Sequence, residues 1–384
     1  MDSEKDSYEE LHEKVVEALK QKTAFSLSGG GSLGPGHVGQ LEQLYDYGGF
    51  RKVEYLVGAS VGSIMCVAVA ASQAAGMKPE AQLRWMKKVL FGLDLTQFED
   101  NDAGLVRDLY RLIKKYGWNK GEAITKWMED ILEFLLNNKD ITLKELYDMS
   151  GIHTVINYYS CNYRRTMYAD HITKPHWRVA DTVRKSSSIP IYYAAVFDKR
   201  EGKDDEVILD GGTMDNNPIH VLRKLGVPPE KILGLIFVSD EEVANYDEHL
   251  EEKLTDYGEP DKITGFLADL ISEMRELAMR MHVHKRDWML TSYTNVHSMK
   301  STDFTMTDEQ KKMLYDEGRF GMQRHAGQLA KLLQKNDYPT RAEMMGKFAL
   351  ILQNAGVLVD DVQMNELYKK LEPFFNTRPE DALL

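Results

Sequence analysis

No apolar run in the 384-residue chain approaches the roughly 18 residues needed to cross a bilayer, so no segment reads as a membrane span. Positive charge is scarce relative to negative: 48 Lys and Arg against 60 Asp and Glu give a formal net charge of −12. That balance argues against nucleic acid as a partner and against a broad polybasic membrane patch, though not against a local one. Cysteine is almost missing. Cys66 and Cys161 each sit in an apolar segment, which excludes a disulfide framework and points to a reducing compartment. There is no Asn-x-Ser/Thr sequon, no His-Glu-x-x-His, no paired Cys-x-x-Cys, no repeat and no low-complexity tract. The polar start, Met1 to Asp6, is unlike a signal peptide, so a cytoplasmic location is expected. What the chain does have is 43% hydrophobic and 28% charged residues, enough for one large globular domain with an extension.

The most informative stretch is Tyr55 to Ala71. A short apolar run ends in Gly58-Ala59-Ser60-Val61-Gly62, and an apolar, small-residue segment follows. This pattern predicts strand, tight turn and buried helix, with Ser60 at the turn in a strained conformation and its hydroxyl presented. Gly58 and Gly62 are expected where a Cβ would collide with a neighbouring element.

Upstream, Ala24 to Leu27 reads as a strand running into Ser28-Gly29-Gly30-Gly31-Ser32-Leu33-Gly34, with a helix to follow. Strand, glycine loop and helix together form an anion-binding device, because unpartnered N–H groups converge at the helix N-terminus. Two readings compete. Gly29-x-Gly31-x-x-Gly34 fits a nucleotide phosphate cradle in spacing. It equally fits an oxyanion hole for acyl transfer. In a parallel sheet the loop and Ser60 would share one crevice, and that favours the second reading. Further on, an apolar strand delivers Asp210-Gly211-Gly212. Asp210 is either a general base within reach of Ser60 or an Asx-turn residue before glycine.

The remaining pattern is mostly helical. A helix is expected over residues 7–21. Residues 79–150 carry three amphipathic stripes that read as core packing, or as a lid or lipid-access surface around Phe91 and Leu95. Thr142 and Glu145 form a capping box. Val155 to Cys161 and Thr166 to Tyr168 predict a hairpin. Val179 to Ser187 predicts a helix ending near Pro190, and Asn216-Asn217-Pro218 predicts a turn opening another. Ile232 to Val238 reads as a buried strand and Thr294 to Met299 as a further one. An acidic excursion spans 241–261, and long helices are expected over 263–284 and 307–335. The apolar helical spacing of 338–384 suggests a regulatory or associating tail.

Taken together, the Gly29 to Gly34 loop, Gly58 to Gly62 and Asp210 to Gly212 resemble, in order, the motifs of the patatin-like phospholipase family. Ser186-Ser187-Ser188-Ile189-Pro190, Asp210 to Pro218 and Thr302 to Gly318 resemble lesser family segments, so the likeness covers about residues 22–330. One departure is Leu33, where many members carry Lys or Arg; a triglyceride-lipase-like branch also has Leu there. The resemblance implies a three-layer α/β/α fold with a mainly parallel sheet. It divides the chain into an N-terminal helix (1–21), a catalytic domain (22–335) and a helical extension (336–384). It also implies a Ser60–Asp210 dyad without catalytic histidine. The implied oxyanion hole comprises N–H groups of Gly29, Gly30, Gly31 and Val61, with Gly34, Gly58, Gly62, Gly211 and Gly212 supporting the motifs. No metal or cofactor is implied. The implied reaction is hydrolysis of lipid acyl esters, foremost phospholipids, at a membrane or micelle surface through an acyl-serine. Alternatives are a neutral glyceride lipase, a thioesterase, an idle lipid-binding protein, or a nucleotide-binding protein using the glycine loop. An activating partner or homo-oligomer is compatible with each. A Ser-His-Asp triad would draw on His37, His220, His282, His284, His297 or His325.

Overall fold

In the computed structural model, residues 2–101, 104–240 and 289–334 are described. The helix expected near the start is α1 (Asp2–Lys20), followed by β1 (Ala24–Leu27), α2 (Pro35–Asp46) and β2 (Tyr55–Gly58). Next come α3 (Val61–Ala74), α4 (Pro79–Gly92), α5 (Leu105–Lys115), β3 (Gly117–Asn119), α6 (Glu122–Leu136) and α7 (Leu143–Ser150). The middle of the chain gives β4 (His153–Ser160), β5 (Arg165–Ala169), α8 (Val179–Ser186), β6 (Ile191–Tyr193), β7 (Val196–Arg200) and β8 (Lys203–Asp210). Then follow α9 (Ile219–Lys224), β9 (Ile232–Val238), β10 (Thr291–Asn295) and α10 (Asp308–Gln334).

The main sheet has the order β10-β9-β1-β2-β4-β8-β7, with β5 also paired to β4. Pairs from β10 to β4 are parallel, and β8, β7 and β5 join antiparallel. Every residue of β1 and β9 is buried, as central parallel strands covered on both faces should be. Helices α3 and α9 both pack on β1 and β2 without packing substantially on each other, so they take opposite faces. The result is a three-layer α/β/α arrangement with a mixed, largely parallel sheet.

Two compact units are distinguished. One is Leu19–His325, which holds the sheet. The other comprises Met1–Ala18 and Ala326–Leu384, of which 2–18 and 326–334 are described and helical.

Local chemistry explains most boundaries. Thr142 accepts from the Glu145 N–H at 3.3 Å while Glu145 accepts from the Thr142 N–H at 2.8 Å, the reciprocal cap that opens α7. The helical reading of 79–150 needs one correction, because β3 interrupts it. Tyr116 turns the chain at φ 61°, and a Cβ on Gly117 would lie 2.0 Å from the Tyr193 carbonyl carbon, so this glycine admits the β6 backbone. The last strand is also displaced from Thr294–Met299: β10 ends at Asn295, and His297 at φ 52° breaks it. The readings at 241–261, 263–284 and 338–384 lie outside the described residues.

Gly62 and Gly92 make a paired test. A Cβ on Gly62 would stand 2.1 Å from the Leu27 carbonyl oxygen, whereas one on exposed Gly92 meets nothing within 4 Å. Gly62→Ala should therefore destabilise by about 1–3 kcal/mol or more. Gly92→Ala should leave stability unchanged or raise it by up to about 1 kcal/mol. Urea unfolding of both variants checks the contrast.

Candidate active site

Ser60 stands between β2 and α3 at φ 52°, ψ −122°. For a residue with a Cβ this region costs on the order of 1–3 kcal/mol, so the surroundings must hold it there. They do so from several sides. The Ala59 N–H donates to the Leu27 carbonyl at 3.2 Å, tying the turn to β1. The Ser60 N–H donates to Ser186 Oγ at 2.9 Å, and the Ser60 carbonyl accepts from Ser63 Oγ at 2.6 Å. Gly62 presses against β1, and a Cβ on Gly58 would lie 2.5 Å from the Gly62 backbone. Ser60 is 2% exposed and, with Val61, lines a cavity.

The glycine loop borders the same cavity through Gly31, Ser32 and Gly34. Gly31 has φ 54°, and its Cβ position is only 1.9 Å from the Ser301 carbonyl oxygen, so glycine is required twice over. Gly30 is extended and is kept small by the Phe237 ring, 2.4 Å from where its Cβ would be. The Ser32 N–H donates to the Ser301 carbonyl at 3.0 Å, and the Leu33 N–H to Gly30 at 3.0 Å. Among the described residues, the N–H groups of Gly30, Gly31 and Val61 have no acceptor. Gly29 differs from them. Its N–H donates to the Asn216 carbonyl at 3.3 Å, and Asn216 Nδ2 returns a bond to the Gly29 carbonyl at 3.3 Å. Gly29 is thereby an anchor of the loop.

Asp210 ends β8, opposite Tyr158, and is 1% exposed. Its N–H donates to the Ser188 carbonyl at 2.9 Å, and its Oδ1 accepts from the Gly212 N–H at 2.7 Å. Gly211 follows because a Cβ would fall 1.9 Å from Asn157 Oδ1. Ser60 and Asp210 are thus fastened to one three-residue segment, Ser186 to Ser188. In the sequence that segment reads only as the end of a helix and a lesser family motif.

That segment is itself held by a buried cation. Arg184 donates to Ser188 Oγ at 2.5 Å and to the Lys120 and Ala194 carbonyls at 2.7 Å each. Burial lowers its pKa to about 10, which leaves it charged at neutral pH. No periodicity marks this arginine as special. The Asn216-Asn217 turn acts similarly on the other side, since Ser26 Oγ donates to Asn217 Oδ1 at 2.9 Å.

The walls of the cavity above Ser60 include Leu90, Leu93, Leu95, Phe98, Trp127 and Phe304. Phe98 meets Trp127 and Phe304 edge-on, with centroids 5.6 and 6.4 Å apart. Among the described residues, no charged side chain lines this cavity. Leu95 lines the cavity, while Phe91 turns away to Tyr315. Lys311 fixes this wall by donating to the Phe91 and Leu93 carbonyls at 3.1 and 2.7 Å, satisfying groups left open at the end of α4.

The described histidines lie elsewhere. His37 is fully buried, with Nε2 2.9 Å from the Ser28 carbonyl and Nδ1 3.1 Å from Gln40 Oε1. Desolvation lowers its pKa to about 4, so it is a neutral packing group at the loop–helix junction. His220 faces Tyr168, His297 bonds Asp240, and His325 is buried; none lines the cavity. His282 and His284 lie outside the described residues. Among the described residues no cluster of His, Cys, Asp or Glu could hold a metal ion, and no helix is long and apolar enough to cross a membrane.

Comparison with known proteins agrees with this architecture. Triacylglycerol lipase ptl3 of Schizosaccharomyces pombe is 28% identical over 190 residues, 48% of this chain and 37% of that protein. Triacylglycerol lipase SDP1L of Arabidopsis thaliana is 26% identical over 202 residues, 51% of this chain and 23% of that protein. The matched region is therefore well under half the length of either relative. The crystal structure of VipD from Legionella pneumophila superposes with a TM-score of 0.53 at 15% identity, covering 92% of this chain and 80% of that one, a likeness of fold. The sequence profile described as patatin-like phospholipase matches residues 25–223, which include the glycine loop, Ser60 and Asp210. That match spans more than half of the 384 residues, and the chain belongs to the patatin-like phospholipase family.

Proposed function

We propose that the chain is a lipid acyl hydrolase in which Ser60 is the nucleophile and Asp210 its general base, working without histidine. The observation that carries the reading is the strained Ser60 at the floor of an apolar cavity, with its backbone and that of Asp210 fastened to the same serine turn. In the first step Ser60 Oγ attacks the ester carbonyl carbon and its proton passes to Asp210. The oxygen that gains negative charge faces the N–H groups of Gly30, Gly31 and Val61, which need no reorganisation to receive it. Collapse expels the alcohol, which takes the proton back. Water then attacks the acyl-serine while Asp210 accepts its proton; collapse breaks the bond to Ser60 Oγ, Asp210 returns the proton to that oxygen, and the fatty acid leaves.

The substrate class we favour is the fatty acyl ester of a neutral glyceride. The uncharged lining supports it, because an acyl chain gains from apolar burial while a phosphate would be desolvated without a counter-charge. The names of the two curated relatives point the same way. Phospholipid esters are the second reading, favoured by the family's description. Fatty acid release from triacylglycerol emulsions should exceed that from phosphatidylcholine vesicles, and the opposite ranking would reverse the assignment.

Ser60→Ala and Asp210→Asn should each lower turnover about a thousandfold or more while remaining folded. A fluorophosphonate should label the native chain and not Ser60→Ala. Loss with Ser60→Ala alone would require another base.

The pH profile gives an independent check. A histidine base must be neutral to act, so activity in a triad would fall as pH drops through about 6.5. A dyad contains no imidazole to titrate, so no His→Gln variant should change the pH profile of kcat/KM. An ionisation near 6.5 that disappears in a His→Gln variant would overturn the dyad.

A further inference from the structure

We propose that the cleft between β5 and α9 is a binding site for a phosphate-bearing anion, separate from the cavity at Ser60. The cleft measures about 1480 Å³ to its open mouth and is lined by Arg164 and Arg165 from the β4–β5 hairpin and by Arg223 and Lys224 from the last turn of α9. Thr166, Tyr159, Tyr168 and His220 also line it.

Four basic side chains around one cleft run against the composition of a chain with net charge −12. Among the described residues, Arg164, Arg165 and Lys224 have no carboxylate within 4.0 Å, although such pairs are common elsewhere on this surface. The helix dipole accounts for basic residues at the end of α9. It does not account for the two arginines on the hairpin. Like charges held around one space repel unless an anion enters it. Asp215 is the single carboxylate in the lining among the described residues; it is buried and accepts the Tyr168 hydroxyl at 2.7 Å. It sets one negative charge against four cations, so the lining keeps an excess of positive charge.

The donor set defines the ligand chemistry. Guanidinium groups present paired N–H donors that match phosphate oxygens, and a phosphomonoester carries enough charge to answer several cations at once. Both a lipid headgroup and a soluble phosphate meet this description.

The floor of the cleft leads to the active-site supports. The Asp215 N–H donates to the Gly211 carbonyl at 3.2 Å, and Asn157 Nδ2 donates to the Asp215 carbonyl at 2.7 Å. The next residue, Asn216, braces Gly29. An anion in the cleft thus sits over the turn that connects Asp210 to the glycine loop, and its binding should stabilise that turn.

The test uses binding rather than turnover, so it stands or falls independently of the proposed reaction. Full-length Ser60→Ala protein is titrated with inositol hexakisphosphate by calorimetry and sedimented with phosphatidylcholine vesicles containing or lacking phosphatidic acid. Saturable binding is expected to weaken about tenfold or more in an added Arg164→Glu, Arg165→Glu pair. Lys224→Glu should weaken it in the same direction. A charge-matched control on α5, Arg107→Glu with Lys114→Glu, should bind like the parent. Binding to both probes, or to the vesicles alone, identifies a headgroup site; binding to the soluble probe alone identifies a free phosphate ligand. No binding to either probe, or equal loss in the α5 control, would overturn the proposal.

Discussion

The contact on which the site depends is the approach of α3 to β1. The first turn of α3 comes so close that Gly62 faces the Leu27 carbonyl with no room for a Cβ. This closeness forces the chain between β2 and α3 into a turn that no extended or helical residue would fill, and Ser60 takes it at φ 52°. The strain is local, but its support is distributed. β1 accepts the Ala59 N–H, α8 ends on Ser186, and Ser63 closes the helix start. A serine held from so many directions has little conformational freedom to lose when a substrate arrives.

The rest of the site consists of polar braces beneath apolar walls. Arg184 gathers three segments through carbonyl and hydroxyl acceptors. Asn216 and Asn217 do for the glycine loop and β1 what Arg184 does for the serine turn. His37, which a triad would have recruited, is spent instead on packing against Phe237, with ring centroids 4.2 Å apart. The division is consistent: polar groups below the cavity fix backbone positions, and side chains around it exclude water.

Much of this was legible in the sequence because the motifs are backbone devices. Gly58, Gly62, Gly31 and Gly211 announce close approaches that any reader of glycine spacing can find, and the structure supplies the atoms they avoid. The capping box at Thr142 and the turn at Asn216 were equally visible, since each is written in consecutive residues. What could not be read was whatever joins distant positions. Ser186 reaches Ser60 across 126 residues, Lys311 reaches Leu93 across 218, and Phe304 closes a wall begun at Phe98. The short strands β3 and β6 were missed because three residues are too few for periodicity. Leu95 and Phe91 look alike in sequence, yet one faces the cavity and the other Tyr315, since α4 ends at Gly92 and the chain runs extended through Leu93 and Asp94 between them.

The segments that build the chemistry and those that build the cavity wall are different pieces of chain. Ser60, Asp210 and the glycine loop hang from strand ends of the central sheet, whereas Leu90 to Phe98, Trp127 and Phe304 come from excursions between strands and after them. Substitutions in those excursions can reshape the cavity without touching the strained turn or its braces. A fold divided in this way can change the shape of its cavity through gradual sequence drift, each intermediate keeping the strained turn at Ser60. The same partition gives a protein engineer a boundary: diversify the wall, and leave the glycines and the serine turn alone.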